Sequence, residues 1–279
     1  VRVMYTRKKN IFVRMSQSAK AQKALGVILP LALAVVIFLL WQTQVIHKIL
    51  HTDVFTLPLP TRIVTIIGDN LPAILVNTKA TVLVAVIGLV IGSVLGYLIA
   101  VAAVQFPKWG SGGLTIVAAF NAIPIVALAP VMTNWTKDVS HDASIRSMVA
   151  KILVVMIVSI AAMSINAYRG LTELKPYAMD MMTSYAATKG QVFWKLQFPN
   201  SVPYIFTALK VSAPNSVISA IVAEYFAEYI TGVGREIREN IVIAQYSTAW
   251  AYILVACVIG IVFYAVLMIV ESIVMKHRR

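Results

Sequence analysis

The chain has 279 residues, of which 59% are hydrophobic and only 13% charged, with a mean hydropathy of +0.83. Soluble domains of this size are about half apolar and about one-quarter charged, so a soluble globular chain is excluded and a polytopic membrane protein fits. The net charge of +13 gathers at the chain ends and in one loop rather than along one soluble face, which argues against a nucleic-acid binder.

Residues 1–23 form a basic tail with Arg2, Arg7, Lys8, Lys9, Arg14, Lys20 and Lys23. The first apolar run follows this tail and has no small-residue cleavage site after it, so it reads as a retained span. Six runs are long enough to cross about 30 Å of hydrocarbon at roughly 1.5 Å per residue. They lie near 24–41, 81–104, 114–132, 149–168, 203–225 and 249–275. The expected fold is therefore all-α, with about six transmembrane helices. Residues 24–80 hold the first span and an external segment, 81–275 a membrane core, and 276–279 a short tail. Within 54–80, Pro58, Pro60, Asp69 and Pro72 interrupt the pattern, which reads as a surface-lying helix leading into the second span. In that second span Gly88, Gly92 and Gly96 share one helix face, where a neighbouring backbone can come close.

Lysine and arginine in the loops set the orientation. Fifteen fall on one side: the tail, Lys108, Arg169, Lys175, Lys189, Lys195, Lys276, Arg278 and Arg279. Eight fall on the other: Lys48, Arg62, Lys79, Lys137, Arg146, Lys151, Arg235 and Arg238. Those eight are offset by acids that include Asp53, Asp142, Glu224, Glu228 and Glu239. The richer side is read as cytoplasmic, with both termini on it. The loops 133–147 and 228–240 then face outward.

The cytoplasmic segment 170–202 is the most informative. Ala178, Met181, Met182 and Tyr185 fall on one face of a short helix. Small Ala186 and Ala187 follow, and Thr188-Lys189-Gly190-Gln191 has the form of a capping box. A second short helix is expected over 189–198, with Val192, Phe193 and Leu196 on one side and Pro199 ending it. Asn200 or Ser201 would cap the fifth span. Such a patch of Met, Tyr, Phe193 and Trp194 calls for a partner surface, or for the headgroup zone of a membrane.

This segment resembles the EAA loop of binding-protein-dependent ABC importer permeases. The family pattern is EAA, three residues, Gly, nine residues, then Ile-x-Leu-Pro. Here Asp180-Met181-Met182 takes the first place, Ala186 the glycine's, and Leu196-Gln197-Phe198-Pro199 the last. An alanine there is strained if the turn needs positive φ. Ile123-Pro124-Ile125-Val126-Ala127-Leu128-Ala129-Pro130 and Tyr168-Arg169-Gly170-Leu171 are similar to the nitrate/sulfonate/taurine branch, which includes pyrimidine-precursor and riboflavin permeases. The resemblance implies a non-catalytic permease subunit of an importer that moves a small organic or anionic solute. It implies two ABC ATPase subunits, a second permease chain as homo- or heterodimer, and an external solute-binding protein in a bacterial inner membrane. ATPase docking would fall on Asp180, Met181, Met182, Tyr185, Ala186, Ala187, Gln191, Phe193 and Trp194. No cofactor is implied.

Polar residues inside spans mark a candidate solute path: Asn121, Asn166, Asn215 and Ser219. Helix–helix hydrogen bonds explain Asn121 and Asn166 equally well. Pro214 removes the helical partner of the Lys210 carbonyl and is expected to bend the fifth span there. Lys210 itself is expected to reach back to the cytoplasmic interface. Cys257 lies in an apolar run and reads as a small buried hydrophobe; His47, His51, His141 and His277 have no metal spacing. No phosphate-binding glycine loop of the G-x4-G-K-[ST] form occurs, so the chain is not itself the ATPase. A stand-alone secondary transporter or channel, or a membrane scaffold, stays open as the alternative.

Overall fold

The computed structural model of the protein describes residues 19–226 and 231–276, and for a few of these, Asn121 among them, the backbone alone. Most of the basic tail, Glu228, His277, Arg278 and Arg279 lie outside the described residues. Most of the described residues are helical, and no strand occurs among them. The chain divides into two units, Val1–Thr65 and Ile66–Arg279.

The first unit contains α1 (Ala19–Gln42) and α2 (Val45–Leu50). After α2 the chain turns back on its own side chains. Nε2 of buried His47 donates to the Leu57 carbonyl at 2.6 Å, and Asp53 accepts from the Thr56 amide at 2.8 Å. The Gln42 amide and Thr61 exchange bonds in both directions, at 3.2 and 3.3 Å. Helix α3 (Pro60–Asp69) straddles the division between the units.

The second unit is built on α4 (Leu71–Gln105) and α7 (Ala143–Thr172), the most extensive helix pairing among the described residues. The glycine row makes this pairing possible. A Cβ at Gly88, Gly92 or Gly96 would come within 2.6, 2.5 or 2.6 Å of Val155 Cβ, the Met156 carbonyl or the Ile160 carbonyl of α7. The expected close seam is thus present. Helix α10 (Phe198–Phe226) packs on α7 and α4, and α12 (Tyr246–Met275) packs on α10.

Helix α4 starts ten residues before the expected 81, because Pro72 sits in its first turn, where no N–H is required. The expected third span is broken. It consists of α5 (Pro107–Ala119), a 3-10 turn at Phe120–Ala122, and α6 (Ile125–Trp135). Pro124 causes the break: it forces Ile123 to an extended ψ of 121°, and its missing N–H cannot continue the helix. The fifth span also differs, since Pro199 does not end a helix. Residues 189–226 run on as one apolar rod through α9 (Lys189–Val192) and a π turn at Phe193–Gln197. In that wider turn the Phe198 amide reaches back to the Phe193 carbonyl, which relieves the clash that makes proline a terminator.

Four helices among the described residues are long and apolar enough to cross a membrane: 71–105, 143–172, 189–226 and 246–275. Ile28–Gln42 and Ile125–Trp135 are shorter apolar helices. Cys257 is exposed on α12 rather than buried, because α12 buries little of its own surface. It borders an apolar groove of about 660 Å³ between α10 and α12, which Pro214, Ile218 and Tyr264 also line.

Candidate functional site: a clamped loop and a buried polar cluster

Helices α7 and α10 are joined by the loop that the sequence singles out, and its root is clamped. The Asn200 side chain donates to the carbonyls of Gly170 (2.8 Å) and Glu173 (3.0 Å). Asn200 therefore closes the C-terminal end of α7 and does not cap the following helix, which has no N-terminus there. Gly170 permits the approach, since a Cβ would lie 2.8 Å from Ser201 Cα and 2.9 Å from Tyr204 Cβ. The Tyr204 hydroxyl donates to Glu173 Oε2 at 3.1 Å, and the Tyr97 and Ser201 hydroxyls lie 3.1 Å apart.

Beyond the root comes α8 (Ala178–Ser184). It ends in a Schellman turn: the Ala186 amide donates to the Thr183 carbonyl (2.9 Å) and the Ala187 amide to the Met182 carbonyl (3.0 Å). This requires Ala186 at φ +51°, the left-handed region that favours glycine. The Thr188 capping box is complete: Thr188 Oγ1 accepts from the Gln191 amide, and Gln191 Oε1 accepts from the Thr188 amide at 2.8 Å.

The loop residues divide by environment. Tyr185 and Trp194 are 81% and 66% exposed, and Asp180, Met181, Ala186 and Gln191 are also exposed. Met182 and Ala187 are half-buried. Phe193 faces inward and packs against the cluster of Ala100, Met163, Ala167 and Leu171, with Trp194 edge-on at 5.3 Å. Tyr177, which the sequence reading passed over, is fully presented beside them at φ +63°.

The candidate path residues are not brought together. Asn215 is exposed on α10, whereas Ser219 is buried and donates to the Asn215 carbonyl at 2.7 Å. Asn166 is half-buried and bonds within its own helix, to the Ala162 carbonyl at 2.8 Å. The Asn121 side chain lies outside the described residues. Lys210 forms an ion pair with Glu271 of α12 at 2.9 Å, both partly exposed.

At the other end of α7 and α10 lies a cluster that sequence reasoning missed. Lys151 and Glu224, counted above with the charges of the outer side although they fall at the ends of the fourth and fifth expected spans, stand inside α7 and α10, 3% and 0% exposed, with Lys151 Nζ 3.4 Å from Glu224 Oε1. Thr81 of α4 places its hydroxyl 2.9 Å from Glu224 Oε2, and the Gly234 amide donates to the same oxygen at 3.0 Å. A buried charge pair is tolerated only when its remaining hydrogen-bonding capacity is met, as here. Gly232 (φ +138°) and Gly234 bring backbone onto the carboxylate; a Cβ at Gly232 would lie 2.2 Å from Glu224 Cδ. The available signal was Thr231-Gly232-Val233-Gly234 shortly after an acid at the end of an apolar run.

A helical bundle with four helices long and apolar enough to cross a membrane among its described residues, two of them joined by a clamped, exposed helix–turn–helix, is a polytopic membrane protein. Residues 92–277, more than half of the chain, match the family described as binding-protein-dependent transport system inner membrane component, and the chain belongs to that family. It is similar to the formylaminopyrimidine transport permease protein ThiX of Halalkalibacterium halodurans, 26% identical over 203 residues, which is 73% of this chain and 78% of that protein. Its fold is similar to that of an amino acid ABC transporter crystallised with histidines: TM-score 0.60, 14% identity, 74% of this chain and 96% of the other. It is also similar to the MetNI methionine ABC transporter in inward-facing conformations: TM-score 0.51, 16% identity, 72% and 95%. The chain is therefore the permease subunit of an ABC importer, a multi-pass inner-membrane protein. Its family works with a separate ABC ATPase, which carries out the hydrolysis, and with a solute-binding protein.

Proposed function

We propose that the 178–194 loop is the surface on which the ATPase docks, with two ATPase copies serving a pair of permease chains, either identical or sister. The observation that carries this reading is the exposure of Tyr185, Met181 and Trp194 on a loop whose root is fixed by Asn200. Exposed aromatic and methionine side chains on a rigid mount are what a partner's groove buries. Asp180, Met182, Ala186 and Ala187 lie on the same helix and turn, and Lys189 and Lys195 suit an acidic rim. Gln191 and Phe193 hold the loop's shape. The fifteen-to-eight distribution of basic residues supports a cytoplasmic loop with both termini on the same side.

The solute we propose is a pyrimidine precursor of the formylaminopyrimidine type, in preference to the sulfonates, taurine, nitrate or riboflavin handled elsewhere in the branch. The similarity to a formylaminopyrimidine permease supports this choice. Asn215, exposed on α10, is the path residue best placed to meet solute between two permeases. Asn121, Asn166 and Ser219 are the other path residues of this reading.

One experiment tests both statements: ATP-driven uptake into proteoliposomes holding the whole complex, offered labelled formylaminopyrimidine, taurine, nitrate and riboflavin in turn. Wild type should take up the pyrimidine selectively. Tyr185→Asp puts a charge into the contact at a cost of about 2–5 kcal/mol, so the ATPase should wash off a folded permease. Uptake of taurine alone would overturn the solute, and a Tyr185→Asp complex that keeps its ATPase would overturn the docking surface.

A further inference from the structure

The buried cluster at the far end of α7 and α10 holds more than a charge pair. Four consecutive backbone groups of residues 231–234 are each gripped by a different side chain. The Thr231 carbonyl accepts from Lys151 Nζ at 2.8 Å. The Gly232 amide donates to Asn77 Oδ1 at 2.9 Å, the Val233 amide to Thr81 Oγ1 at 3.0 Å, and the Gly234 amide to Glu224 Oε2 at 3.0 Å. The four side chains come from α4, α7 and α10, and Tyr252 of α12 stands 3.4 Å behind Asn77. The strap leads directly into α11 (Val233–Val242), which buries Val233, Ile237 and Asn240 and turns Arg238 and Glu239 to solvent.

The bonding is asymmetric in a way that matters for motion. If the strap lifts away, Lys151 and Glu224 still hold each other, and the Thr81 hydroxyl still points at the carboxylate. No charge is left alone in the bundle, so release costs the four strap bonds and not a buried ion. An uncharged cluster could not hold the strap as firmly, since hydrogen bonds to ionised groups are stronger. An unpaired charge could not let it go and stay buried.

We propose that residues 231–234 are a releasable clasp, closed on the Lys151–Glu224 pair, through which α11 is fastened to and freed from α4, α7 and α10 during the transport cycle. The fastening follows from the contacts alone, and its release in the cycle rests on the importer assignment. Two arms of one experiment keep these apart: hydrogen exchange of the complete complex in lipid nanodiscs, at rest and during ATP turnover. At rest, Thr81→Val removes the acceptor for the Val233 amide and should raise exchange of the 232–234 amides at least tenfold while 151–155 stays protected. Asn77→Leu should do the same for Gly232 if the first variant fails to assemble. During turnover, wild-type 232–234 amides should exchange at least tenfold faster than at rest, again with 151–155 unchanged. Unchanged protection in both variants at rest would overturn the fastening. Equal protection of wild type at rest and in turnover, or joint exchange of 232–234 with 151–155, would overturn the clasp.

Discussion

The two ends of the α7–α10 pair solve opposite problems. At the 173–197 end the polar groups are satisfied within the loop and the apolar side chains are left out, with Tyr177, Tyr185 and Trp194 in the open. At the 224–234 end the polar and charged groups are taken in and every one of Lys151, Glu224, Thr81 and Asn77 has a partner. On the docking proposed above, the first end is completed by another protein. The second is complete within one chain. Glycine marks the contrast: Gly190 in the loop has open space where a Cβ would go, whereas Gly232 would drive one into the Glu224 carboxyl group.

That contrast can be broken most sharply at these two glycines. Gly232→Ala combines a positive-φ penalty with a clash against a side chain that cannot swing away, and should cost about 3–4 kcal/mol. Gly190→Ala meets nothing and lies in a helix, so it should be neutral or stabilising by about 0.5 kcal/mol. Thermal unfolding of the purified complex in detergent compares them directly. Equal melting temperatures for the two variants would mean that the 232 backbone does not rest on Glu224.

A smaller effect tests the loop's root. Asn200→Leu keeps approximate size but strips the donor from the carbonyls of exposed Glu173, which water can reach, and of buried Gly170, which it reaches poorly, at about 1–2 kcal/mol. The loss should be read as faster proteolysis of 173–188 with little change in the melting of the bundle. If bundle and loop soften together, Asn200 supports the spans rather than the mount.

Much of this could be read in the sequence, and the failures have local causes. The glycine seam, the capping box and the α7 and α12 helices follow from spacing alone, because each is set by residues a turn or two apart. The break at Ile123-Pro124 was hidden by unbroken apolar sequence on both sides, since hydropathy does not register a missing N–H. Pro199 misled in the opposite direction: a π turn absorbed it, and nothing in residue type announces a π turn. Lys151 and Glu224 fall at the ends of two expected spans but were counted only as outer-side charge, because nothing local pairs them. Their burial depends on partners 73 residues apart and on a glycine-bearing strap that only the fold brings together.

The smallest effect concerns Ala186. Its φ of +51° completes the Schellman turn that ends α8, and an alanine there carries roughly 1 kcal/mol of strain that glycine avoids. Glycine also adds freedom to the unfolded chain, which offsets part of the gain. Ala186→Gly should therefore stabilise the loop by about 0.5 kcal/mol, and Ala186→Val should destabilise it by about 1 kcal/mol more than alanine, because a β-branched side chain suits positive φ least. Both substitutions leave the Asn200 clamp and the 224–234 cluster untouched, so bundle melting should not move. Hydrogen exchange at the Ala187 amide, which donates across the turn to Met182, reports the effect directly: slower for glycine, faster for valine. The same order should appear in ATPase retention, weakly, since a turn that holds its shape presents Tyr185 in one position. Faster exchange in the glycine variant would mean that the left-handed residue is not what shapes this turn, and that packing of Met182 against Ala187 sets it instead.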